Sequence, residues 1–337
     1  MSATPWKVLV TTDAVPSVGG QALQLLRDAG CEIVISKRFG PLTESELAAE
    51  IIGVDALIAS HDSYTAALLD SPAANQLKII ARWGVGYDSI DVPAATRNGI
   101  VVTYTPGFLD DTVANYTFTL MLALARRVHE VHAGMTRGEW QVTWGDDVSG
   151  KTLGIVGFGR IGRAVARRAA AFNLRVLVQS AHPATDFPGV EFVSLVRLLA
   201  ESDFISLHAA LSPATRGLIG EAQFRAMKPT AYFINTARGA MVDEPALLRA
   251  LNEHRIAGAA LDVFAHEPLP AESPLRHAPN ILLSPHQSSC ARSTGERVSL
   301  AAAQGILDLM NHRQPRLVLN PDVFASRALR AVVKREA

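Results

Sequence analysis

Residues 153–162 read Leu-Gly-Ile-Val-Gly-Phe-Gly-Arg-Ile-Gly, and this segment is the strongest indication of a fold class in the sequence. An apolar run typical of a buried strand ends at the first glycine of the loop, and residues 160–172 continue with the apolar spacing of a helix. Gly157 allows a tight turn, Gly159 allows the main chain to approach a ligand, and Gly162 allows the helix to pack on the strand. The pattern is typical of a turn that binds a dinucleotide pyrophosphate at a helix N-terminus.

Strand patterns alternate with helix patterns in two regions, one within residues 1–103 and one within residues 104–291. Such alternation predicts parallel sheets that are covered by helices on both faces. We therefore expect an α/β fold with two Rossmann-like or flavodoxin-like parallel-sheet domains and a cleft between them. Residues 1–103 and 292–337 would form a substrate-binding domain, and residues 104–291 would form a dinucleotide-binding domain.

Residues 111–131 have the pattern of one long helix that is apolar on nearly every side. A helix of that kind needs burial on several faces. We expect part of it to face another domain or subunit, and this helix therefore indicates a homodimer.

The chain has 337 residues, and its 32 Lys and Arg balance 32 Asp and Glu. A neutral chain argues against a nucleic-acid partner, because phosphate binding needs a clustered basic excess. The densest apolar stretch, 117–125, is too short to span a bilayer, and residues 1–12 lack the features of a signal peptide. Cys31 and Cys290 are too few for a disulfide framework or a metal cluster. We expect a cytoplasmic protein that binds no metal, membrane or nucleic acid.

A second phosphate-binding pattern competes with the glycine loop. Residues 145–152, Gly-Asp-Asp-Val-Ser-Gly-Lys-Thr, match the P-loop sequence. A P-loop must open a helix, whereas Thr152 is predicted to open a strand. Asp146 and Asp147 would also repel phosphate. We interpret this match as accidental.

The loop after the second strand of the dinucleotide fingerprint bears on the choice of cofactor. A fingerprint specific for NAD places Asp or Glu there, to bind the ribose hydroxyls. Residues 179–183 read Gln-Ser-Ala-His-Pro, and Ser180 stands where the acid is expected. Ser180 and His182 could donate hydrogen bonds to a 2′-phosphate, but this loop holds no Arg or Lys to pair with one. The sequence is compatible with NAD or NADP, and the missing acid favours tolerance of NADP.

Further motifs occur in order along the chain. They are Arg-Trp-Gly-Val-Gly-Tyr-Asp-Ser-Ile-Asp at 82–91, Asn-Thr-Ala-Arg-Gly at 235–239, Leu-Asp-Val-Phe-Ala-His-Glu-Pro at 261–268, Ser-Pro-His at 284–286 and Asn-Pro-Asp-Val at 320–323. Together with the glycine loop, they resemble the D-isomer-specific 2-hydroxyacid dehydrogenases over nearly the whole chain. The resemblance implies an NAD(P)-dependent oxidoreductase that interconverts a small 2-oxo acid and its D-2-hydroxy acid.

Three residues in these motifs have the chemistry that such a reaction needs. The planar, permanently charged guanidinium of Arg238 can hold both the carboxylate and the ketone of a 2-oxo acid. His286 can donate a proton to the ketone oxygen as hydride reaches the carbon, and Glu267 can fix the imidazole tautomer. The family has Arg, Glu and His at these positions, so the resemblance implies that all three are catalytic.

The resemblance also assigns positions that contact cofactor and substrate. It places Asp262 near the nicotinamide amide and Thr112 close to the cofactor, and it gives the N–H groups of Val85 and Gly86 to the substrate carboxylate. The expected cofactor-binding residues are Gly157, Gly159, Arg160, Ile161, Gly162, Ser180, His208, Thr112, Thr236 and Asp262, and the expected substrate-binding residues are Val85, Gly86 and Arg238.

Some positions depart from the family pattern, and they concern the substrate. Asn115 stands where many relatives have Glu, and residues 287–290, Gln-Ser-Ser-Cys, replace the usual small apolar residues and Gly. Residues 60–62 lack an arginine for a substrate phosphate, which disfavours phosphoglycerate. Glyoxylate or hydroxypyruvate is therefore the first expectation.

Two other functions stay open on the sequence alone. Formate or phosphonate could be oxidised on the same scaffold, although formate dehydrogenases of this fold pair the histidine with Gln, so that Glu267 disfavours formate. The chain could also be a non-enzymatic corepressor that senses NAD(H), because such relatives keep the three catalytic residues. Peptide capture compared with turnover would separate an enzyme from a corepressor.

Overall fold

The structure is a computed structural model that describes residues 5–183 and 186–333. It divides into two units. The first comprises Met1–Leu109 and Cys290–Ala337, and the second comprises Asp110–Ser289. The chain therefore leaves the first unit once and returns to it.

The divisions lie at 109/110 and 289/290, whereas the sequence places them at 103/104 and 291/292. Residues just after 103 stay with the first unit because their main chain is bonded to it. The Tyr104 N–H donates to the Leu317 carbonyl at 3.2 Å, and the Thr105 N–H donates to the Gly84 carbonyl at 3.0 Å.

Strands and helices alternate in the first unit. They are β1 (Lys7–Val10), α1 (Ala14–Val18), α2 (Gly20–Asp28), β2 (Glu32–Ile35), α3 (Glu44–Glu50), β3 (Ala56–Ala59), α4 (Ala66–Leu69), β4 (Ile79–Arg82), α5 (Val92–Arg97) and β5 (Val101–Thr103). The strands form a parallel sheet in the order β2-β1-β3-β4-β5. This is the flavodoxin-like order.

The central strands of this sheet are buried along their whole length. β3 reads Ala-Leu-Ile-Ala and β4 reads Ile-Ile-Ala-Arg, with every residue buried. Parallel strands with helices on both faces favour such continuous apolar runs. The exception to the apolar rule is Arg82, whose side chain is only 2% exposed.

The second unit repeats the alternation on a larger scale. Its elements are α6 (Asp110–Ala125), α7 (Val128–Thr136), β6 (Thr152–Val156), α8 (Arg160–Ala169), β7 (Arg175–Gln179), β8 (Val190–Phe192), α9 (Leu195–Glu201), β9 (Phe204–Leu207), α10 (Glu221–Ala226), β10 (Tyr232–Asn235), α11 (Glu244–Asn252), β11 (Gly258–Leu261) and β12 (Ile281–Leu283). The sheet is parallel, in the order β12-β11-β10-β9-β6-β7-β8. Read from β8, this is the Rossmann order with one strand added. The predicted pair of parallel-sheet α/β units is confirmed.

Apolar side chains cover both faces of the second sheet. One cluster includes Phe118 of α6 and Val165 of α8, and Phe118 stacks on Phe172 with ring centroids 5.0 Å apart. The cluster on the opposite face includes Phe224 and Leu247, from α10 and α11. Each fully buried side chain of this size contributes about 1.5–3 kcal/mol to the free energy of unfolding.

The single helix predicted for 111–131 is wrong, because the chain breaks between α6 and α7. Arg127 has a left-handed main chain with φ 51°, which a continuing helix does not permit. The buried side of α6 packs on α8 and on β10 and β11 of its own unit. Packing within the unit therefore explains most of its apolar character. The exposed apolar side chains lie further on, in α7 and in residues 140–144.

The sequence patterns do not predict two short elements, β8 and α1. The three-residue edge strand β8 has no fully buried residue, and α1 has only five residues, with Val15 its one buried side chain. Hydrophobic periodicity is weak in segments that bury so little.

The first unit is completed by the last helix, α12 (Arg292–Met310), which packs on α1, α2 and β4. The Trp83 indole N–H donates to Ser299 Oγ at 3.0 Å. Beyond α12, Asn320 accepts a hydrogen bond from the Val102 N–H and donates one to the Ile100 carbonyl. Within residues 5–183 and 186–333, no helix is both long enough and apolar enough to cross a membrane.

Candidate active site

The candidate site lies at the carboxyl ends of adjacent strands in the second unit. Gly157 follows β6, His208 follows β9, Arg238 follows β10, Asp262 follows β11 and His286 follows β12. These strands are neighbours in a parallel sheet, so their carboxyl ends share one edge. Open α/β sheets bind ligands at this edge.

The glycine loop has the geometry of a pyrophosphate-binding turn. Gly157 has φ 95°, and a Cβ at this position would lie 2.3 Å from the Ala209 nitrogen. A Cβ on Gly162 would lie 2.2 Å from the Gly157 carbonyl oxygen, so only glycine lets α8 pack this closely on the loop. At Gly159 a Cβ would meet nothing within 4 Å, which leaves room for a ligand beside the main chain. The residues present therefore fit a dinucleotide.

The start of α8 presents main-chain rather than side-chain groups. Gly159 is the N-cap residue and offers no side-chain acceptor to the first turn. The Arg160 side chain is held by Asp110, with Nε 2.8 Å from Oδ2. Ile161 packs against the core of the unit. Arg160 and Ile161 can therefore face a phosphate through their N–H groups.

The loop after β7 contains the predicted Ser180. Its hydroxyl donates to the His182 carbonyl and accepts from the His182 N–H, both at 3.1 Å. Ser180 thus closes a local turn, and His182 is exposed beside it. Residues 180–183 contain no carboxylate.

His286 and Glu267 form a direct pair. His286 Nδ1 lies 2.6 Å from Glu267 Oε2, and each side chain is 20% exposed. The other carboxylate oxygen, Oε1, accepts a hydrogen bond from the Phe264 N–H at 2.9 Å. Because both oxygens are engaged, the carboxylate is held in place and orients the imidazole ring.

Asp262 anchors the loop that carries His286. Its carboxylate is fully buried and accepts hydrogen bonds from Ser284 Oγ at 2.6 Å and from the N–H groups of Gln287 and Ser288 at 2.9 Å. The His286 N–H also donates to the Asp262 carbonyl at 2.8 Å, and His286 has φ 50°. The contacts of Asp262 in the structure therefore serve the loop, and its predicted role near the nicotinamide stays a prediction.

Arg238 lies on a loop that is fixed at both sides. The fully buried Asn235 donates to the Arg238 carbonyl at 2.9 Å and accepts from the Ala237 N–H at 3.0 Å, and Arg238 Nη1 donates to the Ala237 carbonyl at 2.7 Å. A Cβ on Gly239 would lie 1.9 Å from the Phe264 carbonyl carbon. Gly239 thus lets the Arg238 loop lie directly against the main chain that leads to Glu267.

Three other predicted residues lie near this edge or in α6. His208 Nε2 lies 2.8 Å from Ser206 Oγ, and burial lowers the pKa of His208 to about 3. The buried Thr236 hydroxyl lies 3.2 Å from that of Thr117 in α6. Thr112 lies in the first turn of α6.

The predicted substrate residues Val85 and Gly86 belong to the first unit, where they lie in the loop after β4.

The segment that matches the P-loop sequence does not have the structure of a P-loop. β6 begins at Thr152, so residues 145–151 lead into a strand, and no helix starts there.

The sequence patterns miss several residues that support the site. Asn235 and Ser284 are the clearest, since both are buried polar residues at strand ends, a signal that sequence alone could provide. The hydrogen bond from Gln287 Nε2 to the Tyr116 hydroxyl, at 2.8 Å, joins residues 171 positions apart and has no local signal.

Known proteins are similar to this chain over most of its length. Residues 118–288 match a family model described as "D-isomer specific 2-hydroxyacid dehydrogenase, NAD binding domain". A glyoxylate reductase of Korarchaeum cryptofilum is 46% identical over 264 residues, which are 76% of this chain and 80% of that protein. A glyoxylate reductase of Thermofilum pendens is 40% identical over 339 residues, 97% of this chain and 98% of that protein.

A solved structure is similar over both units. The crystal structure of a glyoxylate reductase from Paecilomyes thermophila has a TM-score of 0.80 and 30% identity, and it covers 95% of this chain and 99% of that chain. The sequence motifs, the strand-end geometry and these similarities agree. The chain belongs to the D-isomer-specific 2-hydroxyacid dehydrogenase family.

Proposed function

We propose that this enzyme reduces glyoxylate or hydroxypyruvate to the corresponding 2-hydroxy acid with NADH or NADPH. The observation that carries the proposal is the 2.6 Å contact between His286 Nδ1 and Glu267 Oε2. The two residues follow neighbouring strands, β12 and β11, at the ligand-binding edge of the sheet. The names of the glyoxylate reductases that the chain resembles support the choice of substrate.

His286 would carry the proton. The Glu267 carboxylate accepts a hydrogen bond from Nδ1–H, so Nε2 is the nitrogen that exchanges a proton with substrate. In reduction, the imidazolium donates its Nε2 proton to the carbonyl oxygen while the carbonyl carbon receives hydride. The C=O bond becomes a C–OH group, and His286 is left neutral. The negative charge of Glu267 stabilises the imidazolium before the transfer.

Arg238 would bind and orient the 2-oxo acid. Its guanidinium can bind the substrate carboxylate and the carbonyl oxygen at once. Its main chain is held by Asn235, and Gly239 sets it against the main chain that leads to Glu267. Such a fixed clamp favours catalysis because it holds the reacting carbon in one orientation. We assign the N–H groups of Val85 and Gly86 to the same carboxylate.

The nicotinamide cofactor supplies the hydride when it is bound. Gly157, Gly159 and Gly162 would hold its pyrophosphate at the start of α8. We keep Thr112, Thr236, His208 and Asp262 as proposed neighbours of the cofactor. No carboxylate at Ser180 opposes a 2′-phosphate, and no Arg or Lys of 180–183 attracts one, so we propose that the enzyme accepts both NADH and NADPH.

We also propose that the enzyme is a homodimer. Trp140 and Trp144 are 87% and 88% exposed, and Val128 and Met135 of α7 are exposed nearby in the sequence. Such a large exposed apolar segment typically marks a protein interface. Replacing both tryptophans by Glu should convert a dimer to a monomer in sedimentation velocity, and a monomeric wild-type profile at micromolar protein would contradict the proposal.

The proposed reaction is tested by following NAD(P)H absorbance at 340 nm. Glyoxylate, hydroxypyruvate, pyruvate, phenylpyruvate and 2-oxobutyrate would each be offered with NADH and with NADPH. We expect the highest kcat/KM with glyoxylate or hydroxypyruvate. Higher kcat/KM with a bulky 2-oxo acid would overturn the substrate, and absence of turnover with tight NADH binding would overturn the reaction.

A further inference from the structure

Arg82 is a buried cation that is not one of the three residues proposed to be catalytic. It ends β4, and its side chain is only 2% exposed. Burying a permanently charged guanidinium is unfavourable unless its N–H groups find partners. Such a residue at the carboxyl end of a central strand therefore needs a structural reason.

Three main-chain carbonyls accept hydrogen bonds from the Arg82 guanidinium. Nε donates to the Gly86 carbonyl at 2.8 Å, and Nη1 donates to the Ala59 carbonyl at 3.2 Å and to the Trp83 carbonyl. Gly84 lies directly against the guanidinium, because a Cβ there would be 3.1 Å from Nη2. Residues 83–86 are thus wrapped around the side chain of the residue that precedes them.

This wrapping decides which polar groups of the loop remain for a ligand. The guanidinium takes the Trp83 and Gly86 carbonyls, while the Gly84 N–H donates to Thr105 Oγ1 at 3.1 Å. In the part of the chain that the structure describes, the N–H groups of Val85 and Gly86 have no hydrogen-bond partner. Successive N–H groups that point out of a turn form an anion-binding concavity.

A second buried charge lies in the same core. Asp62 is fully buried and accepts hydrogen bonds from the Tyr64 hydroxyl at 3.0 Å and the Leu42 N–H at 3.0 Å. Burial and the charge of Asp62 raise the pKa of Tyr64, whereas the charge of Arg82 lowers it. Both charges therefore act on the Tyr64 hydroxyl.

We infer that Arg82 is a positioning residue that folds the 83–86 loop into the receptor for the substrate carboxylate. It acts through the main chain, since its guanidinium binds the loop carbonyls and so turns the Val85 and Gly86 N–H groups toward the anion. The inference rests on the proposed 2-oxo acid reduction.

The test compares Arg82→Lys with wild type. Lysine keeps the charge but cannot span several carbonyls with a planar fork. We expect KM for glyoxylate to rise about tenfold or more, with a parallel loss of affinity for the carboxylate probe oxamate. The Kd for NADH, measured by fluorescence, should stay within about twofold of wild type, because the glycine loop belongs to the other unit.

Gly84→Ala is the second variant, in case Arg82→Lys does not fold. It keeps the guanidinium but places a methyl group against it at a φ of 138°. Like Arg82→Lys, it should raise KM for glyoxylate.

Arg97→Lys is the matched control, because Arg97 is half exposed in the same unit and pairs with Asp70 at the surface. It should leave KM, Kd and Tm unchanged.

The outcomes separate this inference from the proposed function. Wild-type enzyme without turnover on any 2-oxo acid would refute the function. Active wild type, together with a folded Arg82→Lys variant whose KM and oxamate affinity are within twofold of wild type, would refute the inference alone. A rise in KM that is matched by equal losses of kcat and of NADH affinity would also refute the inference, because it would indicate general damage to the fold.

Discussion

The two units build their strand-end loops around buried charges of opposite sign. In the second unit, the Asp262 carboxylate binds the N–H groups of Gln287 and Ser288. In the first unit, the Arg82 guanidinium binds the carbonyls of Trp83 and Gly86. A buried anion accepts hydrogen bonds from the N–H groups of the loop, whereas a buried cation donates hydrogen bonds to the carbonyls of the loop.

The two loops differ in the polar groups that remain available to a ligand. In the loop on Asp262, the N–H groups of Gln287 and Ser288 are engaged, and the group that we propose to act on substrate is a side chain, His286. The loop on Arg82 keeps the N–H groups of Val85 and Gly86, so it can bind an anion through the main chain. We therefore propose side-chain chemistry for the loop on Asp262 and main-chain anion binding for the loop on Arg82.

The largest effect is expected at His286, the side chain that the loop on Asp262 carries. His286→Ala should lower kcat by about 10²- to 10⁴-fold, because the proton donor is lost. The Kd for NADH should not change. Stopped-flow and steady-state rates with glyoxylate would measure this. His266→Ala is the control, since His266 is an exposed histidine of the same unit. An equal loss of kcat in that variant would contradict the assignment of His286 as the proton donor.

The next effect tests the substrate clamp. Arg238→Lys should raise KM for glyoxylate and lower kcat, each by about tenfold, because an ammonium group cannot bind carboxylate and carbonyl in one plane. Steady-state kinetics would show whether both constants change together. Arg249→Lys is the control, as Arg249 is half exposed and pairs with Glu221. A change in KM alone would mean that Arg238 binds substrate without orienting it.

A smaller effect tests the anion at the base of the His286 loop. Asp262→Asn replaces one acceptor oxygen by a donor, so a buried N–H group would lose its partner. We expect the free energy of unfolding to fall by about 1–3 kcal/mol, with a lower kcat because His286 is displaced. Urea unfolding measures the first and steady-state kinetics the second.

Asp243→Asn is the matched control for that experiment. Asp243 caps α11 by accepting the Ala246 N–H at 3.0 Å, and Asn is an equally good N-cap residue. If Asp262→Asn were as harmless as Asp243→Asn, the anion would not be what fixes the loop.

The smallest effect concerns His208, which follows β9 on the same edge. Burial lowers its folded pKa to about 3 from an ordinary 6.5, so between these pH values the unfolded chain binds a proton that the folded chain does not. Stability should therefore fall as pH falls below about 6.5. His208→Gln should reduce the drop in Tm between pH 7 and pH 5 by about 2 °C in calorimetry, and an unchanged drop would contradict this assignment.

The glycine loop could be predicted from sequence because each glycine answers a local steric need. Gly157 needs a positive φ, and Gly162 contacts a residue only five positions away. The family motifs likewise led to the His286–Glu267 pair, because a histidine and a carboxylate in such motifs have one obvious relation.

Other features could not be predicted, since they depend on partners remote in the sequence. Arg82 was part of a motif, but its contact with the Ala59 carbonyl follows from the pairing of β3 with β4. The helix break at Arg127 depends on one main-chain angle in a run of good helix formers. The Asp262 carboxylate accepts hydrogen bonds from Ser284, Gln287 and Ser288, which lie 22 to 26 residues away, and no local pattern indicates these contacts. Its place near the nicotinamide stays a prediction.

The return of the chain to the first unit has a consequence for synthesis on the ribosome. β4 needs α12, and the Val102 N–H needs Asn320, but both lie beyond the whole of Asp110–Ser289. At roughly 5–20 residues per second, the ribosome takes roughly ten to forty seconds to make that intervening segment. During this time the nascent first sheet lacks one of its covering helices. The second unit is one continuous segment, so it can fold once that segment has left the ribosome, before α12 is available to the first unit.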